Sequence, residues 1–378
     1  MNTARINRRS DGKADGPWIW VNVLFLVGGP IVAAILVPWY LYVSGSHWAL
    51  WVTAFALWFI SGMGITVGYH RLISHRSYDS NSAWKVFWLI AGGAAIQNSA
   101  IIWSNSHRRH HKEVDTDNDP YNAKRGFWWS HMEWVLHYDE TAEDFSTVPD
   151  LAKDKIVMWQ HRNYNAIWVA TAILLPAALG LMIDRVWGMI LIAGLLRAVV
   201  VHQGTFCINS LAHVIGTQPW SSKDTSRDSW ITALFTFGEG YHNYHHSFAA
   251  DYRNGLKWFH FDPGKWAIFC GEKLGFAWGL KRTLEPVRMK KRLERLAEEY
   301  FAHLDQMDTV AQADWRTRLE TTLAASEERL GAWTMRARRA AKSKDEQLHA
   351  ALAEAEEHFR HAWIEFQSLG RGARLAAA

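Results

Sequence analysis

The sequence predicts an all-α integral membrane protein: four transmembrane helices in two hairpins, with a cytoplasmic helical cap that carries clustered histidines. Three observations predict it. Four apolar stretches are long enough to span a bilayer, they come in two closely spaced pairs, and the charge is concentrated in the last quarter of the chain. The whole-chain averages conceal this division, because 49% hydrophobic residues and 23 Trp coexist with a mean hydropathy of −0.17.

The spans are Trp18–Val43, Trp48–Tyr69, Ala166–Ile183 and Trp187–Ile208. Each approaches the roughly 20 residues that about 30 Å of hydrocarbon requires. Only Ser44–His47 separates the first two and only Asp184–Val186 the last two, so each pair forms a tight helical hairpin. Arg5, Arg8, Arg9 and Lys13 place the N-terminus in the cytoplasm by the positive-inside rule. The segments that follow the second and fourth spans then emerge on that same side, and both termini are expected there. Trp18, Trp20, Trp48 and Trp51 suit the membrane interface. The apolar stretch Ala83–Trp103 is interrupted by Gly92, Gly93, Gln97, Asn98 and Ser99. It is expected to lie in the interface or re-enter rather than cross.

The expected organisation is a cytoplasmic segment at 1–17, a transmembrane domain at 18–280 and a charged helical tail at 281–378. In the tail Arg288, Lys290, Lys291, Arg292, Glu294, Glu298 and Glu299 alternate in sign around Leu293, Leu296 and Tyr300. This pattern predicts amphipathic helices, with breaks expected near Gly331 and Gly370.

Composition excludes several classes. A net charge of +4 without an aromatic-basic signature argues against nucleic acid. Cys207 and Cys270 suit neither a disulfide framework nor a four-cysteine iron–sulfur site. The first apolar run is too long for a signal-peptide core, and no cleavage site follows it.

Of 19 histidines, eight fall in three clusters: His70 and His75; His107, His110 and His111; and His242, His245 and His246. In the last two the i, i+3, i+4 spacing stacks three imidazoles on one helical face. The i, i+5 spacing of the first fits one face poorly and suggests a helix end where the chain turns just outside the membrane. A lone histidine in an apolar protein is usually structural. Three clusters on one side of the membrane point instead to metal, which binds the lone pairs of neutral imidazoles. Zinc needs only three or four ligands, and no His-Glu-x-x-His motif is present. Iron suits imidazole equally, and eight or more ligands suffice for two ions with positions left open for oxygen.

The boxes, read as GYHRLISHRSY, HRRHHKEVDTDNDPYN and GEGYHNYHHSF, resemble the integral-membrane stearoyl-CoA desaturase family, as does NSLAHV at Asn209–Val214. The similarity runs from roughly Trp18 to Trp278. It implies a di-iron centre with His213 as ninth ligand and Asn209 touching one metal through water. Asp115 and Asp119 would orient imidazole N–H groups, and no catalytic residue beyond the ligands is expected. The resemblance also implies a kinked tunnel lined by Gln97, Trp103 and Thr205 beside Asn98, and therefore a cis double bond at Δ9 made with O2. Arg197, in mid-span, is a functional candidate by position, though more readily a buried partner for a carbonyl or carboxylate.

The chain departs from the family where the headgroup is held. Asn105-Ser106 stands where acyl-CoA members carry Arg-Asp, and Tyr138-Asp139 replaces a basic pair. Acyl-CoA is the expected carrier, with acyl-carrier protein and phospholipid as alternatives. No haem or four-cysteine pattern occurs in the tail, so a separate ferredoxin, rubredoxin or cytochrome is the implied electron donor. A membrane hydroxylase or alkane monooxygenase is the nearest rival reading. A metal transporter is disfavoured because no span carries paired acidic residues, and a zinc hydrolase is third.

Overall fold

The computed structural model describes residues 15–306, 309–341, 343 and 345–377. Arg5, Arg8, Arg9 and Lys13, on which the expected orientation rests, lie outside the described residues. Two compact units are present: the chain up to Gln218 together with Asp224–Arg282, and Pro219–Lys223 together with the chain from Thr283 onward.

The first unit is built on α1 (Trp20–Ser44), α2 (Trp48–Ser74), α3 (Ser82–Gly93), α4 (Ala100–Glu113), α5 (Tyr164–Leu181), α6 (Val186–His213), α7 (His242–Ser247) and α8 (Pro263–Lys273). α1, α2, α5 and α6 are each long and apolar enough to cross a membrane. Their outward faces leave Ile31, Ile35, Trp39, Phe55 and Leu174 exposed, a surface suited to lipid rather than water. The protein is therefore an integral membrane protein. Gly45 (φ 72°) and Asp184 (φ 55°) turn the two hairpins in the left-handed backbone region. The His47 ring accepts the Ala49 N–H at the start of α2, supplying a partner for one of the orphan donors of a helix N-terminus.

α2 packs on α3 through small residues. A Cβ on Gly64 would lie 2.2 Å from the Gly92 nitrogen, so the two backbones touch and no larger side chain fits. The last turns of α2, Gly64–Ser74, are π-helical. The Ala83–Trp103 stretch resolves into α3 and α4 separated by non-helical residues, with Ile96 (φ 57°) and Asn98 (φ 76°) left-handed. α6 holds this break open: His202 donates Nε2–H to the Ile96 carbonyl (2.9 Å), and Arg197 donates to the Ala94 carbonyl. Asp79–Ser80 pairs antiparallel with Ala277–Trp278, tying the segment after α2 to the end of the unit.

The second unit contains α9 (Glu285–Leu304), α10 (Thr309–Ala340) and α11 (Glu346–Ala377). They close on a core that includes Leu293, Tyr300, Leu304, Leu319, Trp333, Phe359 and Phe366. The breaks expected near Gly331 and Gly370 do not occur, since α10 and α11 run through them. Gly331 faces open space, and one helical glycine costs only about 1 kcal/mol. Gly370 is required by packing: a Cβ there would lie 2.0 Å from the Tyr300 ring. The chain breaks instead between α9 and α10 and between α10 and α11.

Candidate metal centre

α2, α4, α6 and α7 deliver nine histidines to two adjoining groups. His70, His75, His107, His111 and His245 form one, and His110, His213, His242 and His246 the other; within each group the ligand atoms lie within 4.8 Å of one another. His70 sits near the end of α2 and His213 at the end of α6, so both spans finish on the same side of the molecule.

The two triads do not each face one site, as the spacing alone suggests. Residues i and i+4 diverge by only about 40° around a helix, while i+3 and i+4 are about 100° apart. His107 and His111 therefore join the first group and His110 the second. α7 does the converse, giving His242 and His246 to the second group and His245 to the first. Each triad bridges both groups, and the His111 and His246 rings stack at 4.3 Å between them.

The i, i+5 spacing of the first box is explained by the π-helical end of α2. The His75 N–H donates to the His70 carbonyl at 3.0 Å, the i+5 bond of a π-turn. This brings the two rings to 4.8 Å. The chain then turns at Arg76 (φ 50°).

The rings converge through Nε2. His70 and His245 approach to 3.0 Å, His75 and His107 to 2.8 Å, His111 and His245 to 2.9 Å, His110 and His246 to 3.2 Å, and His242 and His246 to 3.1 Å. Partners on the other side orient several of the rings. His110 donates Nδ1–H to Asp119 Oδ1 (2.9 Å), and His70 Nδ1 lies 3.0 Å from Glu239 Oε2. His213 donates Nδ1–H to Thr225 Oγ1 (2.8 Å), which donates in turn to Asp115 Oδ1 (2.8 Å). Asp115 thus acts through Thr225 rather than on a ring directly, because its carboxylate is already spanned by the Thr225 N–H and hydroxyl. With the proton held on His110 Nδ1, its Nε2 lone pair faces His246 Nε2, and His213 Nε2 is buried with no hydrogen-bond partner among the described residues. Lone pairs so crowded repel unless a cation lies between them, so the donor set fits metal.

Burial first, and the neighbouring rings second, push His75, His107, His111, His242, His245 and His246 well below the ordinary imidazole range. They are neutral at neutral pH. Burial raises the Glu239 carboxyl, but its neighbours His70 and Arg71 and the bond from Thr66 outweigh it and hold it low.

Beside the metal groups lies a cavity of about 260 Å³ whose lining includes His70, His107, His110, His242, Gln97, Asn98, Trp103, Thr205 and Asn209. Gln97 donates to Thr205 Oγ1 at 2.8 Å, bridging the α3–α4 break and α6. Trp103 stacks on His107 with ring centres 4.8 Å apart. Asn98 acts through its backbone, donating N–H to the Tyr164 hydroxyl (3.0 Å) and accepting from Tyr69 (3.3 Å). Arg197 is committed to backbone carbonyls.

Glu239 and Thr225 were not apparent from the boxes. Glu239 lies three residues before His242, within the third motif, a local signal. Thr225 is brought to Asp115 from 110 residues away, and only the fold shows it.

Fold and centre together define a membrane-embedded helical protein with a buried, all-imidazole metal site against an apolar cavity. The fatty acid desaturase family model matches residues 46–269, and the chain belongs to that family. It is 41% identical over 272 residues to acyl-CoA desaturase 1 of Saccharomyces cerevisiae, covering 70% of this chain and 52% of that protein. It is 34% identical over 278 residues to stearoyl-CoA desaturase of Homo sapiens, covering 70% and 75%. To the sn-2 palmitoyl-lipid 9-desaturase of a Nostoc species it is 32% identical over 281 residues, covering 73% and 95%. The chain spans about half the length of the two yeast relatives it matches.

Proposed function

We propose that this protein is an oxygen-dependent fatty-acyl desaturase that introduces a cis double bond, at Δ9, into a saturated long-chain acyl group such as that of acyl-CoA. The observation that carries the reading is the junction of nine convergent imidazoles with a cavity of predominantly apolar lining. His70, His75, His107, His111 and His245 would hold one iron, and His110, His213, His242 and His246 the other, with Asn209 contributing through water. Iron in these groups supplies the oxygen-dependent removal of hydrogen that an unactivated methylene otherwise resists. Overall, a –CH2–CH2– unit loses two hydrogens, and one O2 takes them up with two electrons and two protons to give two waters. A one-electron protein donor supplies the electrons.

The rest is positioning. A saturated chain has no polar handle near the reacting carbons, so the walls must fix its register. The Gln97–Thr205 bond closes one wall where α3 breaks, and Trp103 fills the space between that wall and His107. Asp119 and the Thr225–Asp115 pair hold the tautomers of His110 and His213, and Glu239 lies beside His70, so these rings are positioned in advance. We place this centre on the cytoplasmic face, as the basic N-terminus predicts.

Expression in a desaturase-deficient host, with fatty-acid profiling, tests the reading. New Δ9 unsaturation is expected with the native chain and none with His245→Ala. Hydroxylated products would move the reading to a monooxygenase. Thr205→Ala or Trp103→Ala should shift the bond position or chain-length profile; lower activity at unchanged position assigns those residues to packing alone.

A further inference from the structure

The break between α3 and α4 is held from behind, by residues that do not reach the cavity. Ile96, Gln97, Asn98, Ile102 and Trp103 line the cavity on either side of the break, whereas Tyr69, Gln160 and Tyr164 do not. The first turn of a helix leaves N–H groups without intrahelical partners, and the N-cap side chain usually supplies one. Ser99, the N-cap of α4, does not. Its hydroxyl meets His161 Nδ1 at 2.7 Å, and the Ala100 N–H donates instead to Gln160 Oε1 at 3.0 Å. α4 is therefore capped by a side chain 60 residues further along the chain.

Gln160 does more than cap. Its Nε2 donates to the Tyr69 hydroxyl (2.6 Å), and that hydroxyl donates to the Asn98 carbonyl (3.3 Å). From the other side, the Asn98 N–H donates to the Tyr164 hydroxyl (3.0 Å). Both backbone groups of Asn98 are thus clamped between two tyrosines, in a left-handed conformation (φ 76°) that a residue with a side chain seldom adopts unaided. The clamp is anchored in turn. Gln160 belongs to the short helix Lys155–Arg162, whose N-cap, Asp154, pairs with Lys85 of α3 at 2.7 Å. Gln160, Tyr69 and Ala100 are each 0% exposed, so a polar group that loses its partner there has no water to replace it.

The register of this break carries into the cavity wall. The Trp103 N–H donates to the Ser99 carbonyl (3.0 Å), and the Trp103 ring lies 6.2 Å from that of Tyr69. Where α4 begins therefore decides where Trp103 stands against His107 and where Gln97 meets Thr205. We propose that Gln160, with Tyr69 and Tyr164, is a specificity determinant: it templates the α3–α4 break and so sets which methylenes of the acyl chain lie beside the metal groups. This rests on the desaturase reading. All three are positioning residues, which act on the substrate through Asn98, Gln97 and Trp103 rather than by contact.

The test uses the full chain in a desaturase-deficient host, with double bonds located by mass spectrometry. Tyr69→Phe and Tyr164→Phe each remove one hydroxyl, and Gln160→Met keeps the length of the side chain while removing both of its bonds. Each tyrosine variant should lower the ratio of native-position to displaced double bonds about fivefold, and Gln160→Met about tenfold or more, as expected when one or two hydrogen bonds no longer favour a single arrangement. Val157→Ala is the control. That side chain is fully buried on the same helix and makes none of these bonds, so its loss should lower stability and leave the position unchanged. Metal content and circular dichroism show whether each variant is folded, and if Gln160→Met is not, Tyr69→Phe decides. A second readout needs no turnover. With metal bound and no electron donor present, nonreactive acyl thioethers of increasing length are titrated into the purified protein. The length bound most tightly should change in Gln160→Met and Tyr69→Phe and not in Val157→Ala. Lower activity at an unchanged position and length in the tyrosine variants, or an equal displacement in Val157→Ala, would overturn the proposal and leave the desaturase reading intact. No double bond from the native chain, with iron bound and reduced, would sink both.

Discussion

Replacing Asp119 by Asn tests whether the buried carboxylates maintain the metal centre. Asp119 is fully enclosed and meets three donors: His110 Nδ1–H at 2.9 Å and the Tyr121 N–H at 3.1 Å on Oδ1, and the Asp115 N–H at 3.0 Å on Oδ2. Asparagine offers one oxygen. If it serves His110 and Tyr121, the new NH2 group confronts the Asp115 N–H, donor against donor, leaving a buried group unsatisfied at about 1–3 kcal/mol. The bond to His110 also loses its charge assistance, worth about 1.5–3 kcal/mol before compensation. Changes at such partners of ligating histidines cost about 10–100-fold in metal affinity, or about 1.4–2.8 kcal/mol, within the same range. Only the second group contains His110. The expected outcome is therefore selective loss: Asp119→Asn should retain close to one metal per chain where the native protein is expected to hold two. Elemental analysis after dialysis against a graded chelator series reads this directly, with circular dichroism to confirm that the helices persist. Two metals retained at native affinity would refute the reasoning, and loss of both together would show that the two groups are one cooperative site.

Acid should destabilise the metal-free protein. Because His75, His107, His111, His242, His245 and His246 are held well below the ordinary imidazole value in the fold, the unfolded chain binds more protons as pH falls through about 6.5, and stability is lost downward from there. Thermal unfolding at pH 7.5, 6.5 and 5.5 should show a falling midpoint; a flat profile would contradict buried neutral rings. Gly370→Ala should cost about 1–3 kcal/mol by overpacking against Tyr300, whereas Gly331→Ala, with open space around it, should gain up to about 1 kcal/mol. Urea unfolding of the second unit's helices distinguishes them, and equal effects would count against the packing described. Ending the chain after Arg282 removes α9–α11 and no histidine of the centre. Metal content should stay near the native ratio, and substantial loss would show that the first unit depends on the second.

Much of this molecule was legible as sequence. A bilayer demands long uninterrupted apolar helices, so α1, α2, α5 and α6 declare themselves by length. Histidine is scarce enough in apolar segments that three clusters announce a metal site, and the motifs resemble those of the desaturase family to which the chain belongs, a resemblance that also implied His213. What the linear pattern could not carry was geometry. The i, i+5 pair looked misplaced because a π-turn cannot be read from composition, and which ring of each triad joins which group shows only once α4 and α7 are packed around the centre. Glycine alone did not reveal whether a helix would break, since Gly370 serves the Tyr300 ring rather than a turn. Only tertiary structure brought Glu239 to His70 across 169 positions and Thr225 to Asp115 across 110. The order of the ligands is local chemistry written along the chain. The tautomers and the cavity are long-range contacts, and those exist only once the helices have packed.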